Sequence, residues 1–349
     1  MQPRIEAGVL GATGMVGQHF IRFLANHPWF QVTWVGASDR SAGKKYSEAT
    51  AWRLGGTMPA AVADLTVEEC KPGKGAPKLV FSATDASVAT EIEQSFAKAG
   101  HTVVSNSRNH RMEADVPLLV PEVNPEHLGV LPLQKQNRGW SGQIVTNPNC
   151  STIVLAMALA PLKPFGIERT LVTTMQAISG AGYPGVASMD INANVIPFIG
   201  SEEEKMESET QKILGAFDGA AFNAHPMAVS AQCNRVPVVD GHLVAVSVQL
   251  AAKAGEAELI GAMNAFRGAP QERGLPSAPA QPVIYMSDRD RPQPRRDVER
   301  ENGMVVFTGR MRKCPVFDFK FLALGHNTVR GAAGAAVLNA ELMHSEGIL

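Results

Sequence analysis

Cysteines are few in this chain, and their spacing excludes two kinds of structural cross-link. Only four occur among 349 residues, and no two of them form a C-x-x-C pair. Disulfide frameworks and zinc sites need cysteines in closely spaced sets. We therefore expect no disulfide framework, no metal site and a reducing, cytoplasmic location. The four cysteines are Cys70, Cys150, Cys233 and Cys314.

The chain also lacks a surplus of charge and any long apolar run. Its 32 basic and 33 acidic residues give a net charge of −1, whereas binding to nucleic acid or to an anionic membrane needs a basic surplus. No run approaches the roughly 20 apolar residues that span a bilayer, and residues 1–6 lack the apolar stretch of a signal peptide. We expect neither nucleic acid nor a membrane as a partner.

What the chain does contain is a glycine-rich segment between a strand pattern (residues 4–10) and a helix pattern (residues 18–25). Three glycines at this place allow a tight turn and bring backbone N–H groups to a pyrophosphate at the helix N-terminus. The alternative is a plain strand–helix turn, but the position after the first strand favours dinucleotide binding. The candidate cofactor residues of this glycine loop (residues 11–17) are Gly11, Thr13, Gly14, Met15, Val16 and Gly17.

The turn after the second strand indicates which dinucleotide is bound. Residues 32–37 form the strand pattern, and Ser38, Asp39, Arg40 and Ser41 follow it. An acid at this place holds the ribose hydroxyls of NAD, whereas hydroxyls and a guanidinium suit the 2′-phosphate of NADP. The alternative is a solvated polar turn. We predict NADP as the cofactor, with Ser38, Arg40 and Ser41 among its contacts.

Strands and helices alternate through the first 150 residues. Core-type strands are predicted at residues 78–83 and 102–105 with a helix between them, which is typical of an α/β fold with a Rossmann-type, doubly wound parallel sheet. Ligands of such sheets bind outside the carboxyl ends of the strands, and Ser82 is a further candidate for the cofactor there. We also predict a strand at residues 118–124 and a loop at residues 134–142.

The second half of the chain has a different pattern. Residues 230–239 and 243–251 read as long strands that suggest an antiparallel sheet, and a charged helix begins at Glu202. An alanine-rich helix ends the chain. The predicted domains are an NADP-binding Rossmann domain of residues 1–150 and 327–349, and a second α+β domain, for catalysis and dimerisation, of residues 151–326.

Cys150 is the candidate nucleophile, because it lies between a strand pattern (residues 143–146) and an apolar helix (residues 153–159). Unpaired N–H groups and the helix dipole at such a junction favour a thiolate. The alternative is a small buried residue at a helix start. A nucleophile also needs a base, and His242 is a candidate, although a histidine at a strand start is more often a structural hydrogen-bonding group.

Six motifs follow one another over the whole chain, at residues 11–17, 147–152, 176 with 179–185, 202–205, 235–242 and 325–332. In this order they resemble the aspartate-β-semialdehyde dehydrogenases, particularly the archaeal and fungal branch. The resemblance implies Cys150 as the nucleophile, His242 as the acid/base and Gln176 as a residue that orients the substrate.

The resemblance also implies contacts with substrate and cofactor. Arg108 and Arg111 lie in one loop and are alternative candidates for the contact with the phosphate. The implied substrate contacts are Arg235 for the carboxylate, Glu202 for the amino group, and Lys205, Arg111 and Asn109 for the phosphate. The implied cofactor contacts are Ser179, Gly180, Gly182, Thr328 and Asn327, the last near the nicotinamide amide.

The reaction that the resemblance implies is the reversible, NADPH-dependent reductive dephosphorylation of L-aspartyl 4-phosphate to L-aspartate 4-semialdehyde through a cysteine thioester. This step serves threonine, methionine, lysine and isoleucine biosynthesis, and the family implies a homodimer or homotetramer. Malonyl-CoA reductase and N-acetylglutamyl-phosphate reductase share the fold and nucleophile, and a non-enzymatic NADP sensor needs only the glycine loop. Arg235, Glu202 and Lys205 together favour aspartyl phosphate.

Overall fold

Two six-stranded sheets organise the chain. The structure is a computed structural model that describes residues 3–73 and 75–349. The strands are β1 (Ile5–Leu10), β2 (Phe30–Ala37), β3 (Val67–Glu69), β4 (Leu79–Ser82), β5 (Thr102–Ser105), β6 (Gln143–Thr146), β7 (Ile167–Gln176), β8 (Ala216–Phe217), β9 (Phe222–Asn223), β10 (Ala228–Arg235), β11 (His242–Leu250), β12 (Val283–Met286), β13 (Val306–Lys313) and β14 (Phe319–Gly325).

Helices cover and connect these sheets. The α-helices are α1 (Met15–Leu24), α2 (Tyr46–Ala49), α3 (Ala60–Ala63), α4 (Ala86–Lys98), α5 (Leu131–Arg138), α6 (Cys150–Leu159), α7 (Ser188–Ile191), α8 (Glu202–Leu214), α9 (Glu256–Ala265), α10 (Ala269–Glu272), α11 (Pro294–Asp297) and α12 (Gly334–Ser345). A π-helical turn, Val329–Ala333, precedes α12. The described ranges contain no helix that could serve as a membrane span.

The first sheet is parallel throughout, in the order β3-β2-β1-β4-β5-β6. The glycine loop therefore leaves β1 at the centre of the sheet, where the strand order reverses and where such sheets bind dinucleotides. Helix α12 shares the apolar core of this sheet with α1, through Val337, Leu338, Phe20 and Ile21. The predicted Rossmann-type fold is confirmed.

The second sheet is mixed, in the order β10-β7-β11-β14-β13-β12. β7 lies between β10, to which it is parallel, and β11, to which it is antiparallel. The two strands that we expected to pair with each other therefore do not. The arrangement has a consequence for the site: β7 ends at Gln176, β10 ends at Arg235 and β11 begins at His242, so these three side chains lie at one edge of the sheet.

Two further predictions of secondary structure are wrong. Residues 118–124 form no strand, and only Leu118 makes an isolated bridge, with Thr146. Residues 134–142 are not all loop, because α5 extends to Arg138. Its inward position is taken by Gln134, whose amide bonds both the N–H and the C=O of Ile144, so a polar residue occupies a core position.

Candidate active site

Helix α6 carries Cys150 as its first residue and packs in the core of the second sheet. Every residue from Ser151 to Leu159 is buried, which is typical of an interior helix that is apolar on all sides. Asn149 caps the helix, since its Oδ1 accepts hydrogen bonds from the N–H groups of Ser151 (2.9 Å) and Thr152 (3.1 Å). The nucleophile candidate is thus held on a rigid element.

The Cys150 Sγ lies 3.2 Å from the Nε2 of His242, although the two residues are 92 positions apart in the chain. The other ring nitrogen, Nδ1, accepts a hydrogen bond from the backbone N–H of Ala177 at 3.0 Å. A nitrogen that accepts from an N–H carries no proton, so the neutral ring is assigned its proton at Nε2. His242 therefore presents an Nε2–H donor to the sulfur.

Burial keeps this pair uncharged. It raises the pKa of the Cys150 thiol to about 12, with a further rise from the Glu202 carboxylate that Arg235 and Arg111 oppose. It also lowers the pKa of His242 to about 3, in the same direction as the charge of Arg235. The helix start does lower the thiol pKa, through the Ser151 N–H, as we expected, but burial is the larger effect and the net shift is upward.

Ala177 connects the acid/base candidate to the neighbouring arginine. Its C=O accepts a hydrogen bond from Arg235 Nη1 at 2.9 Å, while its N–H binds His242. Gln176 is buried beside Arg235, its register partner on the next strand. A Cβ on Gly180 would lie 2.9 Å from Arg235 Nη1 and 3.1 Å from His242 Nε2, so any larger residue there would displace one of these side chains. Ala177 carries no sequence signal, because its contribution is made by its backbone.

Glu202 and Lys205 reach the same site from the first turn of α8. Glu202 is buried, and its Oε1 accepts a hydrogen bond from Asn149 Nδ2 at 2.8 Å. Lys205 Nζ donates to Glu202 Oε2 at 3.2 Å. An acidic group and an ammonium group thus lie beside the residue that precedes Cys150.

The loop after β5 contributes one arginine. Arg111 is buried, its Nη2 donates to Asn106 O at 2.7 Å, and its charge acts on the Cys150 thiol. Arg108 is exposed instead. The Asn109 amide donates to the Ala86 carbonyl at 2.8 Å, so the structure ties this side chain to α4 and does not bring it to Cys150.

The cofactor candidates line connected cavities beside the first sheet. Gly11 has a left-handed φ of +72°, and a Cβ there would lie 2.5 Å from Ala83 O. A Cβ on Gly17 would lie 2.3 Å from Gly11 O, so both glycines are needed for the close approach of loop, sheet and helix. A cavity of about 880 Å³ is lined by Gly11, Thr13, Gly14, Ser38 and Arg40 among others, and a neighbouring one by Met15, Val16 and Gly182.

The remaining cofactor candidates lie outside the glycine loop. Asn327 donates to Ser179 Oγ at 2.7 Å and accepts from the Gly241 N–H at 2.8 Å, so its amide joins the loop before His242 to the segment after Ala177. Ser82 is fully buried and shares a hydrogen bond with Thr84 Oγ1. Thr328 lines a further cavity together with Ser179 and Gly182. Ser41 lies on the turn after β2, beside the cavity of about 880 Å³.

Two charged residues of α8 complete the arrangement, and the sequence analysis missed both. Glu209 and Lys212 are buried, and each forms hydrogen bonds with the first domain's loops. Their spacing from Glu202 and Lys205, at intervals of three and four residues, is the signal that places all four side chains on one helix face. A run of charges on a helix more often indicates a solvated surface, so the pattern by itself does not predict burial of these two residues.

Known proteins resemble the chain over its full length. Residues 6–130 match the NAD binding domain of semialdehyde dehydrogenases, and residues 159–330 match their dimerisation domain. The chain is 49% identical to an aspartate-semialdehyde dehydrogenase of Archaeoglobus fulgidus (99% of this chain, 100% of the relative) and 47% identical to that of Cryptococcus neoformans (100% and 99%).

A solved structure gives the same result for the fold. The aspartate semialdehyde dehydrogenase of Candida albicans, solved with NADP, superimposes with a TM-score of 0.92 at 44% identity, covering 99% of this chain and 100% of that one. The likeness includes both sheets and the helices between them. The chain therefore belongs to the aspartate-semialdehyde dehydrogenase family, with its archaeal and fungal members among its relatives.

Proposed function

We propose that the protein catalyses the reversible, NADPH-dependent conversion of L-aspartyl 4-phosphate to L-aspartate 4-semialdehyde and phosphate. The observation that carries the proposal is the 3.2 Å contact between Cys150 Sγ and His242 Nε2, at a site that also contains Arg235, Glu202 and Arg111. Cationic and anionic side chains around one nucleophile suit a substrate with a carboxylate, an amine and a phosphate. The names of the relatives support the same substrate.

Each proposed role follows from the position of a side chain. Cys150 Sγ forms a bond to the acyl carbon while the bond to the phosphate oxygen breaks; the thiol proton leaves with the phosphate, and a thioester remains. His242 holds a proton at Nε2 beside the reacting sulfur, where it stabilises the oxyanion that forms on reduction and protonates the sulfur as the C–S bond breaks and the aldehyde leaves. When bound, NADPH supplies the hydride for that reduction.

The substrate is held at both ends. Arg235 binds its carboxylate and Glu202 its amino group, while Gln176 orients it from the end of β7. Arg111 and Lys205 bind the phosphate, and a guanidinium gives this contact direction because it is planar. Asn109 is the weakest of the proposed contacts, because its amide already bonds α4.

The residues of the first sheet fit a bound NADP. The backbone of the glycine loop would receive the pyrophosphate at the start of α1, and Ser38 with Arg40 would receive the 2′-phosphate. Asn327 would lie near the nicotinamide amide, with Ser179 and Gly180 beside it. The Candida albicans relative, whose structure contains NADP, supports this choice of cofactor.

The proposed activity is tested by following NADP reduction with aspartate semialdehyde. We expect the rate to depend on both inorganic phosphate and the semialdehyde. In the reverse direction, malonyl-CoA and N-acetylglutamyl phosphate should be poor substrates, because neither offers an amino group to Glu202. NADP reduction without a requirement for phosphate, or a preference for either alternative substrate, would contradict the proposal.

We also propose that the chain forms a homodimer, or a homotetramer built from dimers, through its second domain. Support comes from one face of the second sheet, where Leu171 on β7 is 45% exposed, and from Phe198, which is 70% exposed; both lie within the residues that match the dimerisation domain. An interface of this kind buries such apolar side chains.

The proposed NADP-binding domain combines residues 1–150 with 327–349, because α12 shares the core of the first sheet.

A cytoplasmic location completes the proposal. All four cysteines lie in the described ranges and none is joined in a disulfide. Thiols stay reduced in the cytoplasm, and a cysteine nucleophile needs a reduced sulfur.

A further inference from the structure

One face of α8 points at the junction between the two domains and carries four charged side chains: Glu202, Lys205, Glu209 and Lys212. The first two belong to the proposed substrate site. Glu209 is buried and has a different set of partners. Its Oε1 lies 3.0 Å from Arg111 Nη1, and its Oε2 accepts a hydrogen bond from the Asn149 N–H at 2.7 Å.

These two contacts join parts of the site that are distant in the chain. Arg111 is the proposed phosphate contact on the first domain, and Asn149 immediately precedes the nucleophile. We propose that Glu209 is a positioning residue that fixes Arg111 and the Cys150 backbone relative to one another, and so sets where the phosphate lies relative to the sulfur. This inference rests on the proposed function, because it assigns to Glu209 the orientation of the phosphate contact.

Lys212, one turn further along α8, holds the backbone of the same loop. Its Nζ donates to the carbonyl oxygens of Arg111 (2.8 Å), Glu113 (2.9 Å) and Val116 (2.9 Å). Arg111 is therefore attached to α8 at its backbone by Lys212 and at its guanidinium by Glu209. A side chain held at both ends has little freedom to reorient, and reacting groups need such fixed geometry.

The chemistry of the contact requires a carboxylate. Both partners of Glu209 are donors, and a carboxylate offers an acceptor oxygen to each. Glutamine has the same shape but one acceptor, so in Glu209→Gln either the Arg111 guanidinium or the Asn149 N–H faces an NH₂ group. A misplacement of about 1 Å in a catalytic arrangement can cost about 10²-fold in rate.

Charge and position predict opposite results for this variant. Removal of a negative charge beside Arg111 would, by charge alone, tighten phosphate binding and lower the KM for phosphate. Loss of orientation raises that KM. We expect Glu209→Gln to raise the KM for phosphate by about tenfold or more, while the KM for NADP stays within about twofold.

Two further variants isolate the contact. Glu209→Asp keeps the negative charge but is one methylene shorter. If Glu209 acts by positioning Arg111, this variant should have a raised KM for phosphate. If Glu209 acts only through its charge, the KM should equal the wild-type value. Glu207→Gln is the matched control: Glu207 lies on the same helix, and its Oε1 accepts a hydrogen bond from the Ala231 N–H at 3.0 Å. It should retain the wild-type KM for phosphate.

Arg111→Ala separates this inference from the proposed function. If Arg111→Ala leaves the phosphate KM unchanged, the assignment of Arg111 fails. If Arg111→Ala raises it but Glu209→Gln and Glu209→Asp do not, or if both Glu209 variants fail to fold, the positioning role of Glu209 is overturned. We expect Glu209→Gln to add little further change in an Arg111→Ala background, since coupled residues are not additive.

Discussion

At the scale of single residues, Ala177 determines what His242 is able to do. Because the Ala177 N–H occupies Nδ1, the imidazole keeps its proton at Nε2, where it meets the Cys150 sulfur. The ring is thus set up to donate a proton to a developing oxyanion rather than to store the thiol proton beforehand. The Cys150 thiol therefore loses its proton only as its sulfur attacks the acyl carbon of the substrate.

The pH dependence of Cys150 alkylation follows from this. Burial raises the Cys150 pKa to about 12, so the thiolate fraction should keep growing with pH, about tenfold per unit, from pH 6.5 to 9.5. Iodoacetamide labelling mapped by mass spectrometry would measure it. Cys314 is the comparison within the chain, because backbone hydrogen bonds lower its pKa and its labelling should level off first. A plateau for Cys150 below pH 8 would show that its pKa is not raised.

At the scale of secondary-structure elements, the sequence predicts the elements whose formation depends on residues that are neighbours in the chain. The glycine loop, β1 and α1 were predicted because turn, strand and helix patterns follow one another directly. The pairing of β10 and β11 was not, since β7, which precedes both in sequence, lies between them. Helix α5 was missed because Gln134 occupies its inward position and removes the apolar period.

The turn after β2 is the element that should set the cofactor preference. Arg40 lines the larger cavity together with Ser38 and Asp39. Arg40→Leu removes the guanidinium that we propose as the contact for the 2′-phosphate of NADP, so NADP should lose about tenfold in kcat/KM while NAD changes by less than about twofold. Steady-state rates with both cofactors provide the measurement. Equal losses for NADP and NAD would place the 2′-phosphate elsewhere.

At the scale of the whole molecule, buried histidines should make stability depend on pH. Burial lowers the pKa of His19 and His242 to about 3 and that of His127 to about 4. The unfolded chain binds protons at these residues below about pH 6.5, whereas the folded chain does not, so the free energy of unfolding should fall as pH falls from 6.5 to 5. Buried Glu93 acts in the opposite direction, because its pKa is raised.

Urea unfolding at pH 7.5, 6.5, 5.5 and 5.0 measures this slope. Well below pH 6.5 each such histidine contributes about 1.4 kcal/mol per pH unit. His127→Gln should flatten the slope by one histidine's share whatever it does to stability at pH 7.5. A slope that the variant leaves unchanged would mean that His127 takes up its proton in the folded protein.

We propose that Cys150 forms a covalent thioester with the aspartyl group during turnover. The adduct can be trapped by mixing the enzyme with aspartate semialdehyde and NADP without phosphate, quenching in acid and mapping the peptides by mass spectrometry. We predict one aspartyl adduct, on the peptide that contains Cys150, which phosphate removes and which Cys150→Ser does not form. An adduct on another residue, or turnover by Cys150→Ser at the wild-type rate, would contradict the account.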